Sequence, residues 1–370
     1  MASMFSKNNF DLIRLFAAFE VALGHVFHNM EIESTGIIRF VLKIFYLFPG
    51  VPIFFFISGF LISRSYENNS RLREFFLNRT LRLYPGLIVC VAFSILLVAL
   101  SGYLDDKEVK WFEMAALFFA KTTFFQFYNP DFMRAYGDGV LNGSLWTITV
   151  EIQFYLLVPV LFIILSRKPP KCTVNFLLVV LVVIFFTLNR FYVALPGLAD
   201  KSILTKLIMV SFFPWFYLFL LGVLVQRNFE LFHKYLAGRF HLACPLYIFV
   251  AYIFAINGYS FDSNINPIVG VSLVLTIFSF AYSVPVLSKR ILKGNDISYG
   301  LYIYHMPAVN FMIYFGLRQK IEYGILALIA SFLLAAISWR FIEKPVLSLK
   351  RHPSFSLNEE EVAQAPRKGG

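Results

Sequence analysis

Charge is what this sequence has little of. Asp, Glu, Lys and Arg make up 15% of its 370 residues, against 58% hydrophobic residues, and the mean hydropathy is +0.69. Soluble domains carry about a quarter charged residues, so the composition excludes an ordinary soluble fold and points to an integral membrane protein. Cysteine is scarce too. Cys90, Cys172 and Cys244 lie in apolar runs or beside basic loops, without metal-ligand spacing, so neither a disulfide framework nor a metal site is expected. A cleavable leader is not evident, because the first apolar segment contains Asp11, Arg14 and Glu20 and lacks a clean small-residue cleavage site; it is expected to be retained. No internal repeat suggests the inverted halves of a transporter, and no second soluble domain is expected.

What is present is aromatic and basic. Forty-five phenylalanines and 19 tyrosines suit a lipid-facing surface with rings at its interfaces. The net charge of +11 does not point to nucleic acid, because the basic residues are spread over short loops between apolar runs. A span needs about 20 mostly apolar residues. Ten segments qualify: 9–29, 37–63, 82–101, 144–165, 174–193, 207–226, 240–257, 267–287, 297–316 and 321–342. The stretch 111–127 is short and interrupted by Glu113, Lys121 and Gln126, so it is placed at the interface or as a re-entrant segment. The expected fold is all-α, a bundle of about ten transmembrane helices.

Loop charge orients it. With both termini cytoplasmic, the inner loops carry Arg64, Arg71, Arg73 and Arg79, then Arg167, Lys168 and Lys171. Arg227, Lys234 and Arg239 follow, then Lys289, Arg290 and Lys293, and finally Lys344, Lys350 and Arg351. Of the opposite loops, 258–266 has no Lys or Arg and 194–206 has only Lys201 and Lys206, the positive-inside pattern. An eleventh span would put basic loops on both sides. The long loop 102–143 then faces outward and is the candidate acceptor-binding element. Residues 1–352 form the membrane domain, and 353–370, without apolar periodicity, a disordered cytoplasmic tail.

Ionisable groups inside spans are costly and mark function by default. Arg14 and His25 are eleven residues apart, so on a helix both lie on one face, separated by a rise of about 16 Å. Asp11 sits one turn before Arg14 and can pair with it. Snorkelling to the headgroups explains either residue alone; the stacked pair suggests a polar path through the bundle. Glu151 enters its span at the depth inferred for His25, where a carboxylate can orient a histidine for base catalysis or serve as a structural hydrogen bond. His305, deep in its own span, reads equally as a packing or a functional histidine. The remaining histidines are near span ends or in loops. Arg71, Arg73, Arg79 and Arg82 form the densest arginine cluster, and guanidinium groups match phosphates bidentately.

These stretches together resemble the membrane acyltransferase-3 family. The matching pieces are "FDLIRLFAAFEVALGH", with Arg14 and His25 in an Arg-x10-His frame, "FPGVPIFFFISGFLISRSY", "NRTLRLYP", "SLWTITVEIQFYLLVP", "SYGLYIYHMP" and "FIEKPV", in order over residues 8–346. The resemblance implies transfer of an acyl group, acetyl being commonest, from cytoplasmic acyl-CoA to a hydroxyl of a surface saccharide or glycolipid across a bacterial inner membrane. It implies no cofactor beyond acetyl-CoA as cosubstrate. His25, Arg14 and Glu151 are then the candidate catalytic residues, and Arg71, Arg73, Arg79, Arg82 and His305 the candidate donor-binding residues. Asp11, Ser58, Gly59, Tyr299 and Glu343 are supporting. Relatives with a fused extracytoplasmic esterase-like domain exist; this chain is expected to be without one. The competing expectation is a polytopic transporter or flippase of a lipid-linked sugar, which the absence of repeats disfavours.

Overall fold

The computed structural model describes residue 5 and residues 7–165, 171–194, 203–257, 263–284 and 286–349. Arg167, Lys168, Lys201, Lys350, Arg351 and the expected tail 353–370 lie outside the described residues. Among the described residues the chain is all helical. Its helices are α1 (Phe10–Asn29), α2 (Gly36–Tyr46), α3 (Gly50–Asn68), α4 (Leu72–Leu100), α5 (Trp111–Thr122), α6 (Trp146–Leu165), α7 (Lys171–Ala194) and α8 (Ile203–Met209). They continue as α9 (Phe216–Arg227), α10 (Phe229–Leu236), α11 (Phe240–Ile256), α12 (Pro267–Ala281), α13 (Leu287–Leu292), α14 (Ser298–Tyr314) and α15 (Ile321–Ser338). A π-helical turn (Trp339–Glu343) leads into α16 (Lys344–Ser348).

Each expected span falls largely on helix, although 37–63 passes from α2 to α3, 207–226 is broken between α8 and α9, and 267–287 runs past the end of α12. Not each is a membrane crossing by its own length and composition. Five stretches are: Gly36–Asn68, Leu72–Leu100, Gly143–Leu165, Lys171–Ala194 and Ile321–Ser348. The pair α10 and α11, bent by 93°, makes a sixth if read as one span. The chain is a multi-pass membrane protein with five or six such helices among the described residues, where ten were expected. The shortfall has two causes: α9 and α12 are apolar but short, and other helices are polar or short as well. α1 carries Asp11, Arg14, Glu20, His25 and His28, and α14 is only 17 residues long. Both are shielded by protein: α14 packs between α1 and α15 and is buried on nearly every side. The stretch 111–127 forms the 12-residue α5, too short to cross, with Lys121 buried and donating to the Gln126 carbonyl at 2.7 Å.

Close backbone contact sets the bundle. α3 lies along α9, and a Cβ on Gly59 would collide with the Phe219 backbone while one on Gly222 would collide with Phe56, Gly59 and Phe60. Small residues let helices in lipid approach where no hydrophobic driving force separates them from the solvent tails. At one end of the bundle Glu67 ties α3 to α9 through Gln226 (2.6 Å) and Arg227 (3.2 Å). At the other end the Met30 carbonyl accepts the Gln319 N–H, joining α1 to the α14–α15 turn.

Replacing Gly59 or Gly222 with Ala should cost about 1–3 kcal/mol through overpacking, read as a lower thermal midpoint in detergent. Gly24→Ala, whose added Cβ would find its nearest neighbour at 3.7 Å, should not lower the midpoint, helix propensity favouring Ala by up to about 1 kcal/mol.

Candidate functional site

A cavity of about 420 Å³ opens among α1, α3, α4, α6, α14 and the turn after α15. Its mouth carries Asp11, Arg14, Arg79, Arg82 and Asp296, and farther along its wall lie Ser58, Glu151, Thr147, Tyr299 and Tyr302. The centre of the mouth is Asp296, in the loop before α14. Its Oδ2 accepts Arg82 Nη2 at 2.5 Å and Arg14 Nη2 at 3.1 Å, and its Oδ1 accepts the Ser298 hydroxyl at 2.5 Å and the Ser298 N–H at 3.3 Å. Burial alone would raise the Asp296 pKa, but the Arg14 and Arg82 guanidiniums and the two Ser298 bonds outweigh it and hold the carboxyl well below the usual carboxylate range.

Arg14 also pairs with Asp11, as its spacing predicted. Two of the three cavity arginines are therefore neutralised by acidic neighbours. Arg79 is not: its Nη2 donates to the Ser65 hydroxyl at 3.0 Å, and its guanidinium stands over Phe75 and Tyr155. Among the described residues lining the cavity, Arg79 is the cation with no carboxylate partner. The buried Nε atoms of Arg79 and Arg14 make no hydrogen bond, so both guanidiniums retain donor capacity.

Several expected placements differ. Glu151 is not the partner of His25 among the described residues. Its Oε1 accepts Tyr155 Oη at 2.5 Å and Ser58 Oγ at 3.2 Å, so it is a wall of the cavity. His25 Nδ1 instead meets Nε2 of His305 at 2.7 Å, with the rings nearly parallel. His305 is fully buried beside His25 and not at the cavity mouth with the arginines. Arg71 and Arg73 are exposed outside the cavity, and Arg71 pairs locally with Glu74 at 3.0 Å. Of the supporting residues, Ser58 and Tyr299 line the cavity, and Tyr299 donates to the Leu83 carbonyl at 2.8 Å. Gly59 serves the α3–α9 contact. Glu343, buried, accepts the Ser338 hydroxyl at 2.9 Å.

Tyr302 joins the cavity to the histidine pair. Its hydroxyl meets Thr147 Oγ1 at 2.7 Å on the cavity wall, and its ring stands edge-on to His305 with centroids 6.0 Å apart. Pro307 makes this region irregular. Having no N–H, it leaves the Ile303 carbonyl without its helical donor; Asn142 Nδ2 at 2.8 Å and Cys90 Sγ at 3.2 Å supply the bonds. Asn142 belongs to the long loop 102–143, which is held onto α14. Asn310 donates to the Val140 carbonyl and accepts the Asp138 N–H, with Gly137, at φ +57°, packed directly on it. The loop expected to bind an acceptor is an ordered cap fastened to α14, the helix that carries His305.

Asp296, Tyr155, Thr147 and Tyr302 are the site residues that reading the sequence missed. Only Asp296 had a local signal: an Asp two residues before Ser298, ahead of an apolar run, is a helix-start pattern. The others are ordinary helix residues whose neighbours come from distant segments.

Fold and site together define a multi-pass membrane protein built around a cavity with a charged mouth. A family model described as an acyltransferase domain matches residues 7–340, and the chain belongs to the acyltransferase-3 family. Among curated proteins it is similar to nodulation protein 10 of Rhizobium leguminosarum bv. viciae, 30% identical with 93% of this chain and 94% of that protein covered. It is also similar to the O-acetyl transferase of Shigella phage Sf6, at 25% identity over 96% of this chain and all of that protein. Peptidoglycan O-acetyltransferase OatA of Listeria monocytogenes is 24% identical over 81% of this chain, which spans about half the length of that relative. No solved structure matches.

Asp296→Asn leaves Arg82 buried beside a neutral amide. It should lower stability by about 3–5 kcal/mol at neutral pH, the cost of breaking a buried ion pair. Because the native carboxyl titrates below its unfolded value, its contribution is complete above about pH 4 and fades as pH falls through the native value. Thermal midpoints of wild type and Asp296→Asn should therefore differ at pH 7 and converge only in strong acid.

Proposed function

We propose that this protein is a membrane O-acetyltransferase that moves an acetyl group from cytoplasmic acetyl-CoA to a hydroxyl of a cell-surface or lipid-linked saccharide on the outer face of the bacterial inner membrane. In this reading all ten expected spans form the bundle, the polar helices α1 and α14 crossing inside a sheath of apolar ones, with both termini cytoplasmic. The observation that carries the proposal is the run of polar groups through the bundle: arginines at an open mouth, a cavity wall of hydroxyls and Glu151, and behind Tyr302 the half-buried His25 against the buried His305. Membership of an acyltransferase family and the printed activities of the Listeria and phage relatives support it.

Donor phosphates sit at the mouth on Arg79 and the unused donors of Arg14, since guanidinium forks suit phosphate oxygens. Arg82 acts through Asp296, keeping Arg14 in place. The thioester arm enters the cavity, whose volume falls in the range of small-molecule sites. His25 takes the proton of the acceptor hydroxyl as that oxygen attacks the thioester carbonyl. The carbon–sulfur bond breaks, and the thiolate leaves with the proton returned by His25. Holding donor and hydroxyl together on this path supplies the proximity part of the rate.

Wild type and variants in nanodiscs, titrated with acetyl-CoA and then given acceptor, test this. Arg79→Ala should weaken donor binding about tenfold or more, the value of a charge-assisted hydrogen bond, while Arg71→Ala/Arg73→Ala should not. His25→Ala should bind donor normally and transfer no acetyl group. Full transfer by His25→Ala, or no donor binding by folded wild type, sinks the assignment.

A further inference from the structure

A neutral imidazole carries a proton on one ring nitrogen and a lone pair on the other, and only the second can act as a base. For His25 the choice is made by contacts outside the cavity. His305 Nδ1 lies 3.2 Å from the Leu301 carbonyl, one helical turn back on α14. A carbonyl oxygen only accepts, so this nitrogen carries the proton. His305 has no exposed surface, and among the described residues no carboxylate bonds to it. An unpaired buried charge being costly, the ring is neutral. Its Nε2 therefore carries the lone pair, and the contact of 2.7 Å to His25 Nδ1 requires a proton on His25 Nδ1. His25 Nε2 is left with the lone pair and makes no hydrogen bond to any described residue.

We infer that His305 is a positioning residue that fixes His25 in the Nδ1–H tautomer and so makes His25 Nε2 the base. The chain of bonds runs from the Leu301 carbonyl through both rings to that nitrogen. The inference rests on His25 being the base of the proposed acyl transfer. When the acceptor proton arrives on Nε2, His25 becomes an imidazolium whose Nδ1–H already points at the lone pair of His305, so the new charge meets an acceptor without rearrangement. The proton then passes from Nε2 to the departing thiolate, and His25 returns to its starting tautomer. Tyr302, edge-on to His305, limits rotation of the supporting ring. The arrangement does for a histidine pair what a carboxylate does in a triad, and what an outer-shell partner does for a ligating histidine.

The test uses full-length protein in nanodiscs with 15N-labelled histidine, the His25 signals being identified by their loss in His25→Gln. Wild-type His25 should show a protonated Nδ1 and an unprotonated Nε2. In His305→Ala the proton should redistribute to Nε2. The same variant should lose about 10–100-fold in kcat, the usual effect of removing such a partner, while donor affinity holds. His305→Gln, whose side-chain carbonyl restores an acceptor for Nδ1–H, should stay within about threefold of wild-type kcat, a small fraction of that loss. Thermal midpoints establish that both variants fold. Wild-type His25 protonated on Nε2 overturns the inference whether or not His305→Ala folds. So does an unchanged tautomer in folded His305→Ala, or equal loss in the alanine and glutamine variants. A fully active His25→Ala would instead overturn the proposed function while leaving the tautomer result standing.

Discussion

One carboxylate holds the mouth of this protein together. Asp296 takes Arg14 from α1 and Arg82 from α4, and anchors itself on the first residue of α14 through Ser298. Three segments more than two hundred residues apart in the extreme meet at its two oxygens. A buried ion pair is weak evidence of net stability, because desolvation consumes much of its attraction. Its geometric consequence is clearer. With Arg82 spent on Asp296, and Arg14 shared between Asp296 and Asp11, Arg79 is left, among the described residues, as the uncompensated cation of the cavity. Charge at the site is set by pairing, and a count of arginines along the chain does not report it.

The same rule disposes of the other polar residues on α1. Glu20 and His25 each have a partner from a different part of the bundle. Glu20, buried, accepts the Gly50 N–H at 2.7 Å where α3 begins, a place where unpaired helical N–H groups favour an anion. His25 meets His305 on α14. Arg14 and His25, on one face, both meet the α14 segment while Glu20 turns to the start of α3, and an isolated hydropathy window sees only that α1 is too polar. Neighbouring helices bury α14 on nearly every side and supply the partners of Glu20 and His25 on α1.

Pro307 connects the cap to the histidines. The helical donor it removes is replaced by Asn142, and Asn310, three residues beyond, fastens the loop that carries Asn142. A break in α14 is thus repaired by the long loop, so the loop's order and the placement of the His305 turn depend on one another. The loop's length and polarity suggested binding; much of its polarity is spent on holding α14.

By itself the sequence determined the class of protein. Its low charge, its apolar runs of helical length and six motif stretches in fixed order were enough for an all-helical membrane protein resembling acyltransferases, and for Arg14, His25, Glu151, Arg79 and Arg82 as residues of interest. Helical spacing also sufficed for the Asp11–Arg14 pair, because both partners lie within one turn. The tertiary structure decided everything that needed a partner from afar. It put His305, not Glu151, on His25, made Asp296 the hub of the arginines, and left Arg71 and Arg73 in the open. Among the described residues it also gave five or six helices fit to cross a membrane alone where hydropathy counted ten. The physical reason is that periodicity reports which face of a helix a residue occupies, whereas a buried ion pair or a tautomer depends on which other helix that face meets.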